Sequence, residues 1–174
     1  VQKPALQELP AQESITDEPP ADIASYQDSN AFFFVSLPQG YTVQDTSTGT
    51  KTNVLITYAP NISVRISAGR HTDPWHAETE MYNKMALLQQ PHNGFASARI
   101  DGYSLFELGG GNGYEIAASG YRGASFCKLQ VYCLTGYQKT VSIEIICQNC
   151  RNPQIEELFN RIKESIINTF LLYP

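Results

Sequence analysis

Three successive segments decide the fold class of this chain: SFCKLQVYCL (Ser125–Leu134), TVSIEIIC (Thr140–Cys147) and NPQIEELFNRIKESIINTF (Asn152–Phe170). In the first two, apolar and polar side chains alternate with the period of a β-strand, and a short glycine-containing turn joins them into a hairpin. In the third, Asn152 can cap a helix that Pro153 opens. The helix would bury one apolar stripe, made of Ile155, Leu158, Phe159, Ile162 and Ile166.

A second helix and further strands precede this ending. Asp73 and Pro74 form a similar helix start, and apolar residues at helical spacing predict a helix over Asp73–Gln90. Short turns between strands favour antiparallel pairing, because parallel strands need long crossovers. The pattern predicts an α+β fold, an α/β/α sandwich with a central antiparallel sheet of about seven strands and two main helices. The other predicted strands are Ala31–Val43, Val54–Tyr58, Ile62–Ala68, Ala98–Leu108 and Gly113–Tyr121.

Composition divides the 174 residues into an acidic tail and one domain. Residues 1–30 contain four of the ten prolines, none of the twelve glycines, and one lysine against six acidic side chains. Such a segment buries too little apolar surface to offset its ordering entropy, so residues 1–30 are predicted to be a linker or tail. Residues 31–174 then form a single domain.

The charge distribution argues against nucleic-acid binding, and the hydropathy argues against a membrane-spanning helix. The net charge of −5 resides entirely in residues 1–30, and residues 31–174 carry equal numbers of basic and acidic side chains. Without a basic field, sequence-independent nucleic-acid binding is not expected. No apolar run approaches the ~20 residues that a membrane-spanning helix needs, so we predict no transmembrane segment.

The four cysteines are Cys127, Cys133, Cys147 and Cys150. If the apolar faces of the two hairpin strands point to the same core, the numbers of paired residues sum to an even number. A turn of about three to five residues then places Cys127 opposite Cys147 or one diagonal away. Cross-strand neighbours lie about 4.5–5.5 Å apart, close to disulfide geometry. We therefore predict a Cys127–Cys147 disulfide, which would indicate an oxidising compartment.

Two other interpretations of the cysteines remain open. All four could be unbonded core residues, because free cysteine packs as a small apolar side chain. Cys147 and Cys150 also have the spacing of a dithiol redox motif and precede a helix start, where the helix dipole lowers a thiol pKa. Zinc binding is not predicted, since spacings of six, fourteen and three residues match no zinc-finger pattern.

A cluster at the start of the first helix is the candidate contact with a partner. His71, Asp73 and His76 could together bind a metal, but Asp73 already has a capping role and the spacing is unspecific, so no metal site is predicted. Exposed aromatic residues are enriched at protein interfaces, so His71, Trp75 and His76 are predicted to contact a partner. No nucleophile elbow, zinc-protease helix or nucleotide fingerprint is present, and we predict no catalytic residues and no cofactor.

The segment FFVSLPQGY (Phe33–Tyr41) is similar to the opening strand and turn of the PsbP-like group. This group includes the PsbP subunit of photosystem II, DcrB-type periplasmic lipoproteins and the nuclear Ran-binding Mog proteins. The order of elements over residues 31–172 also resembles that group. The resemblance implies an α/β/α sandwich that binds or assembles with other proteins and is not an enzyme. The tail resembles the tether that follows the lipid-modified cysteine of bacterial lipoproteins.

The sequence therefore predicts a non-catalytic extracytoplasmic module of the PsbP/DcrB type, in the periplasm, the thylakoid lumen or secreted. It would bind a protein partner through a sheet edge, loop tips or the helix start near Trp75. A lipid anchor upstream of Val1 would tether it to a membrane. The alternatives are a thiol–disulfide redox protein that uses Cys147 and Cys150, and a small-ligand carrier with a pocket between sheet and helix.

Overall fold

The computed structural model of the chain describes residues 22–70, 77–91 and 94–174. These residues form ten strands and two helices. In chain order they are β1 (Ile23–Gln27), β2 (Phe33–Pro38), β3 (Thr42–Asp45), β4 (Lys51–Tyr58), β5 (Ile62–Arg70), α1 (Ala77–Leu88), β6 (Phe95–Leu108), β7 (Gly111–Arg122), β8 (Ser125–Gly136), β9 (Lys139–Gln148), α2 (Pro153–Thr169) and β10 (Leu171–Leu172).

Seven strands form the central sheet, in the order β3-β4-β5-β9-β8-β7-β6, and all neighbours are antiparallel. Two-residue turns join β6 to β7, β7 to β8 and β8 to β9. In the last turn Tyr137 and Gln138 both have positive φ, 49° and 57°, as a tight hairpin requires to match the twist of its strands. The predicted α+β sandwich with a seven-stranded central sheet is confirmed.

A second sheet of three strands, in the order β1-β2-β10, packs with α2 on one face of the central sheet. The sequence-based assignment of the Phe33 strand to the central sheet was wrong: its place among the seven is taken by β3. Alternation predicts a strand but not the sheet it joins, and β2 is buried along nearly its whole length. The strand β1 pairs fully with β2, although it lies within the predicted linker. Residues 1–21 of that linker lie outside the described residues.

Two apolar cores lie on opposite faces of the central sheet. The larger core lies between the sheet and the layer formed by α2 and the small sheet, and the smaller one lies beneath α1. The stripe predicted for α2 is buried at Phe159, Ile162 and Ile166. Asn152 caps this helix as predicted, because its side-chain oxygen accepts from the amide of Gln154 at 3.0 Å.

The register of β8 and β9 corrects the cysteine prediction. Lys128 lies opposite Cys147, and Cys127 lies opposite Gln148, so paired numbers sum to an odd number. Neighbouring strands in this register direct their odd-numbered residues to opposite faces. The prediction assumed one shared core, whereas helices cover both faces here. Cys127 therefore faces α1 and stays a free thiol, as does Cys133, while Cys147 is bonded to Cys150.

Candidate functional site

The outermost strand of the central sheet, β6, leaves one of its long sides open. Within the described residues its only hydrogen-bonded neighbour is β7. The strand is 14 residues long, and residues 101–105 are all exposed. Two irregularities, between Phe95 and Ala98 and between Ile100 and Gly102, bend its first half. Its second half runs in regular register as far as the turn.

This regular half lacks the features that normally protect a sheet edge. Charged side chains, prolines and bulges on an edge strand discourage pairing with other chains. The five residues Gly102–Phe106, with the sequence GYSLF, contain neither a charge nor a proline. Leu105 is 77% exposed and Tyr103 is 55% exposed. The open backbone of β6 is thus accompanied by large exposed apolar side chains.

The exposed side chains extend from β6 onto α1. Tyr103 pairs with Ile116 and Leu105 pairs with Tyr114, and Ile116 belongs to the core beneath α1. Directly paired residues point to the same face, so Tyr103 and Leu105 lie on the α1 face of the sheet. Burial, then the negative charge of Glu78, and then Tyr82 and Tyr103 raise the pKa of Tyr114. The helix α1, which carries Glu78 and Tyr82, packs against β6–β8.

We call this region the edge surface and define it as the backbone of residues 102–106 with the side chains of Tyr82, Tyr103, Leu105 and Tyr114. Tyr82 is also more than half exposed. The region joins aromatic and aliphatic contact area to a row of backbone hydrogen-bonding groups. Both are features of surfaces that bind proteins.

Acidic side chains border the edge surface. Glu78 lies on α1, Asp101 and Glu107 on β6, and Glu115 on β7. The carboxylate of Glu115 accepts from Ser104 Oγ at 2.9 Å and from Gln130 Nε2 at 3.3 Å. The basic residue Arg99 is already paired with Asp101, at 2.7 Å. The border therefore carries a net negative charge.

On the opposite face, β6–β8 and α2 border a shallow groove whose lining is partly polar and partly apolar. One cavity there has a volume of about 280 Å³, and charged residues line it, among them Arg99, Asp101, Lys128 and Lys163. Lys128 also pairs with Glu156 on α2, and this hydrogen bond lowers the pKa of Glu156. Pockets for small ligands are mostly apolar and enclose their ligand. This groove does not favour the small-ligand carrier.

The thiol–disulfide alternative is not favoured either. Cys147 and Cys150 are 0% and 1% exposed, so the bonded pair is closed to an attacking thiolate. Burial raises the pKa of the free thiols, to about 11 for Cys133 and above its usual value for Cys127. Reactive cysteines need a lowered pKa and access to solvent. All four cysteines therefore act as structural residues.

The other predicted contacts, His71, Trp75 and His76, lie outside the described residues and stay a prediction. Among the residues that the structure does describe, no three His, Cys, Asp or Glu side chains come together as a metal site. Neither described helix is long and apolar enough to cross a membrane. The sequence did not single out Tyr82, Tyr103, Leu105 or Tyr114. The uncharged, proline-free run at residues 102–106 was visible, but only the strand order shows that it lies at an edge.

No protein-family model and no curated protein sequence matches the chain. Several solved structures have a similar fold. Cyanobacterial PsbP (CyanoP) from Synechocystis superimposes with a TM-score of 0.60 at 16% identity, over 93% of this chain and 99% of that one. The Saccharomyces cerevisiae Ran-binding protein Mog1p gives 0.58 at 11% identity, over 86% and 95%.

A third similar structure is LpqN, a protein involved in cell envelope biogenesis of Mycobacterium tuberculosis. It gives a TM-score of 0.53 at 9% identity, over 87% of this chain and 91% of that one. Identities this low show a common fold and leave the activity open. The resemblance seen in Phe33–Tyr41 and in the order of elements is confirmed at this level: the chain has the PsbP/Mog fold.

Proposed function

We propose that the protein is a non-catalytic binding module that contacts a partner protein through the edge surface. The observation that carries the proposal is the open, uncharged half of β6, with Tyr103 and Leu105 exposed, and with Tyr82 exposed on α1, which packs against β6–β8. Unprotected edges pair readily with other chains, and exposed aromatic residues are enriched at protein interfaces.

The structural neighbours support a role in binding or assembly. Mog1p is described as a Ran-binding protein, and LpqN as involved in cell envelope biogenesis. The partner of this chain need not resemble theirs, because one fold hosts unrelated interactions. The proposal therefore rests on the edge surface, and the neighbours make a binding role more reasonable than a catalytic one.

We also propose that the protein acts outside the cytoplasm, in the periplasm, the thylakoid lumen or the secreted fraction. The Cys147–Cys150 disulfide supports this, because such bonds persist in oxidising compartments. A lipid anchor upstream of Val1 with residues 1–21 as its tether would hold the module near a membrane. Fractionation of cells that produce the full-length protein, followed by mass analysis of its mature N-terminus, tests both proposals.

A pair of matched variants tests the edge surface. Leu105→Lys adds a charge to β6, and Val43→Lys adds the same charge to β3 at the other edge, where Val43 is 41% exposed. Wild type and both variants are used to capture proteins from extracts of the producing cells. We expect proteins that wild type and Val43→Lys retain and Leu105→Lys loses. Equal capture by all three would overturn the edge surface as the contact.

The predicted contact at His71, Trp75 and His76 is kept as a second part of the interface. These residues directly precede α1, which carries Tyr82. Trp75→Ala in the same capture experiment tests this contact. We expect partial loss of the proteins that Leu105→Lys loses completely, and unchanged capture would remove Trp75 from the interface.

A further inference from the structure

Along β6, the backbone N–H and C=O groups of successive residues point alternately toward β7 and toward the open side. A two-residue turn, Gly109–Gly110, joins β6 to β7, and both glycines have positive φ. In such a hairpin the flanking pair, here Leu108 and Gly111, exchanges hydrogen bonds, and every second pair after it does the same. By this alternation Phe106 and Ser104 bond to β7, while Leu105 and Tyr103 direct their N–H and C=O groups outward.

The same two residues carry the exposed apolar side chains of the edge surface. A strand that added itself to β6 would pair with Tyr103 and Leu105, and its residues opposite them would point to the α1 face. These residues would lie beside Tyr103 and Leu105 and close to Tyr82. The alternate residues of the added strand would point to the other face, next to Ser104 and its acceptor Glu115.

The charges bordering the edge surface determine which strand fits. Glu107 lies on the same face as Leu105, Glu78 lies near Tyr114, and Glu115 lies on the opposite face. Arg99 is already paired with Asp101. On the face of Glu115 the structure also places Lys128, which is paired with Glu156, and Lys163. An added strand with lysine or arginine at its ends would meet Glu107 on the α1 face, and a basic residue at its centre would meet Glu115 on the other face.

A second copy of this chain fits less well. If two β6 strands paired antiparallel with Tyr103 opposite Leu105 of the copy, Asp101 would lie opposite Glu107 twice. Like charges directly opposite one another on neighbouring strands are destabilising. In the register that pairs Tyr103 with Leu105 of the copy, the charges therefore favour a basic partner over self-association.

We propose that β6 accepts an extended basic segment of a partner protein as an eighth, antiparallel strand of the central sheet. The segment would alternate apolar residues, opposite Tyr103 and Leu105, with polar ones, and carry lysine or arginine at its ends. Antiparallel addition continues the arrangement of every strand in the sheet. The proposal rests on the proposed function and adds the chemistry and backbone geometry of the partner.

The probe is the capped peptide Arg-Thr-Ile-Lys-Val-Thr-Arg, whose Ile and Val would lie opposite Leu105 and Tyr103. Its dissociation constant is measured by calorimetry at low salt. We expect binding that weakens by at least about tenfold when the three basic residues are replaced by glutamate. Equal binding of the two peptides, or no binding of either, would overturn the basic partner.

N-methylated peptides test the backbone pairing. In antiparallel addition the amides of Ile and Val point to β6, and the amide of the central Lys points away. N-methylation of Ile and Val should weaken binding by at least about tenfold, and N-methylation of Lys should change it little. Equal effects at the two sites would overturn strand addition, and the reversed pattern would overturn its antiparallel direction.

A variant pair of the protein tests the same point from the other side. Leu105→Pro removes an amide that does not bond to β7, whereas Leu105→Ala removes only the side chain. We expect Leu105→Ala to weaken binding of the peptide and Leu105→Pro to abolish it. Equal binding by the two variants would contradict backbone pairing, and the N-methylated peptides answer the question if Leu105→Pro does not fold.

The outcomes separate this inference from the proposed function. If Leu105→Lys loses the natural partners but the peptides show no dependence on backbone amides, the edge surface binds by side chains alone and strand addition is overturned. Sedimentation of the free protein provides a further check. A dimer that Leu105→Pro dissociates would overturn the basic partner in favour of a second copy of the chain.

Discussion

The two edges of the central sheet differ in length and protection. The β3 edge is four residues long and ends at Asp45, whose carboxylate accepts from the Ser47 amide at 2.8 Å. The β6 edge is 14 residues long and has an uncharged stretch of five residues in regular register. Short, charged edges resist pairing with other chains, and long uncharged ones promote it. The comparison indicates that the β6 side of the sheet offers a partner the longer and less protected edge.

The layers that support the two edges differ as well. The helix α2 buries Phe159, Ile162, Ser165 and Ile166 and is joined by the small sheet. The helix α1 buries only Met81 and Leu88. Regions with less buried apolar surface open more readily. We therefore expect the β6 end of the molecule to be less stable than the β3 end.

The largest expected effect comes from the α2 core. Ile162→Ala should lower the free energy of unfolding by about 4 kcal/mol, and Met81→Ala beneath α1 by about 2 kcal/mol, because the cost depends on how fully the surroundings enclose the cavity. Urea unfolding followed by circular dichroism measures both. A larger loss for Met81→Ala would contradict the comparison of the two layers.

A buried carboxylate that ties the small sheet to β4 should come next. Asp28 is 3% exposed and accepts from the amides of Phe32 and Phe33, at 2.6 and 2.9 Å, and from Thr52 Oγ1 at 2.6 Å. Asp28→Ala leaves these donors without an acceptor and should cost about 2–3 kcal/mol. The control is Asp45→Ala at the exposed β3 edge, with a loss below about 1 kcal/mol. Similar losses in urea unfolding would refute the assigned role of Asp28.

The disulfide should have an intermediate effect. Cys147 and Cys150 are three positions apart, so the bond constrains only a short loop and the double change to alanine should cost about 2 kcal/mol. Wild type unfolded with and without a reductant gives the same comparison without mutation. If Cys127→Ala proved as sensitive to reductant as wild type, the Cys147–Cys150 assignment would stand. If Cys127→Ala were no longer sensitive to reductant, the result would support the Cys127–Cys147 pairing instead.

Alkaline pH should weaken the contact between β1 and β3. Burial, followed by the charges of Asp45 and Asp28, raises the pKa of Tyr26 from 10.0 to about 12. A raised pKa gives stability that is complete below pH 10.0 and is lost as pH rises toward the folded-state value. Tyr26→Phe should remove a loss of under about 1 kcal/mol, after solvent screening, as the pH rises from about 10 to about 12. An identical pH profile for the two proteins would count against this contact.

The smallest effect on folding is expected at the open edge. Leu105→Lys and Val43→Lys should each change the free energy of unfolding by less than about 0.5 kcal/mol, because both side chains are exposed. Only Leu105→Lys should reduce partner capture. A large loss of stability for Leu105→Lys would mean that the side chain has a structural role, which would weaken the case for a free binding edge.

Local patterns predicted the elements that have a single buried face. The stripe of α2 and the cap at Asn152 were correct, because both depend on residues three or four positions apart. The register of β8 and β9 was not predictable in this way. The continuous apolar runs Val131–Leu134 and Ile145–Cys147 indicate burial on both faces, but they do not show which residue of one strand lies opposite which residue of the other.

The candidate site depended on information that the sequence does not display directly. The run at residues 102–106 looks like any half-buried strand until the order of strands places it outermost. Tyr82 and Tyr103 can belong to one surface only because α1 packs across β6–β8. Contacts between distant segments decide exposure, and composition decides only which side chains are available.

Amide hydrogen exchange along β6 tests the central claim most directly. In the free protein the amides of Tyr103 and Leu105 should exchange rapidly, while those of Ser104 and Phe106 should be protected by their bonds to β7. Addition of the basic peptide should protect Tyr103 and Leu105. Protection of these two amides in the free protein, or no change when the peptide binds, would contradict an open edge that accepts a partner strand.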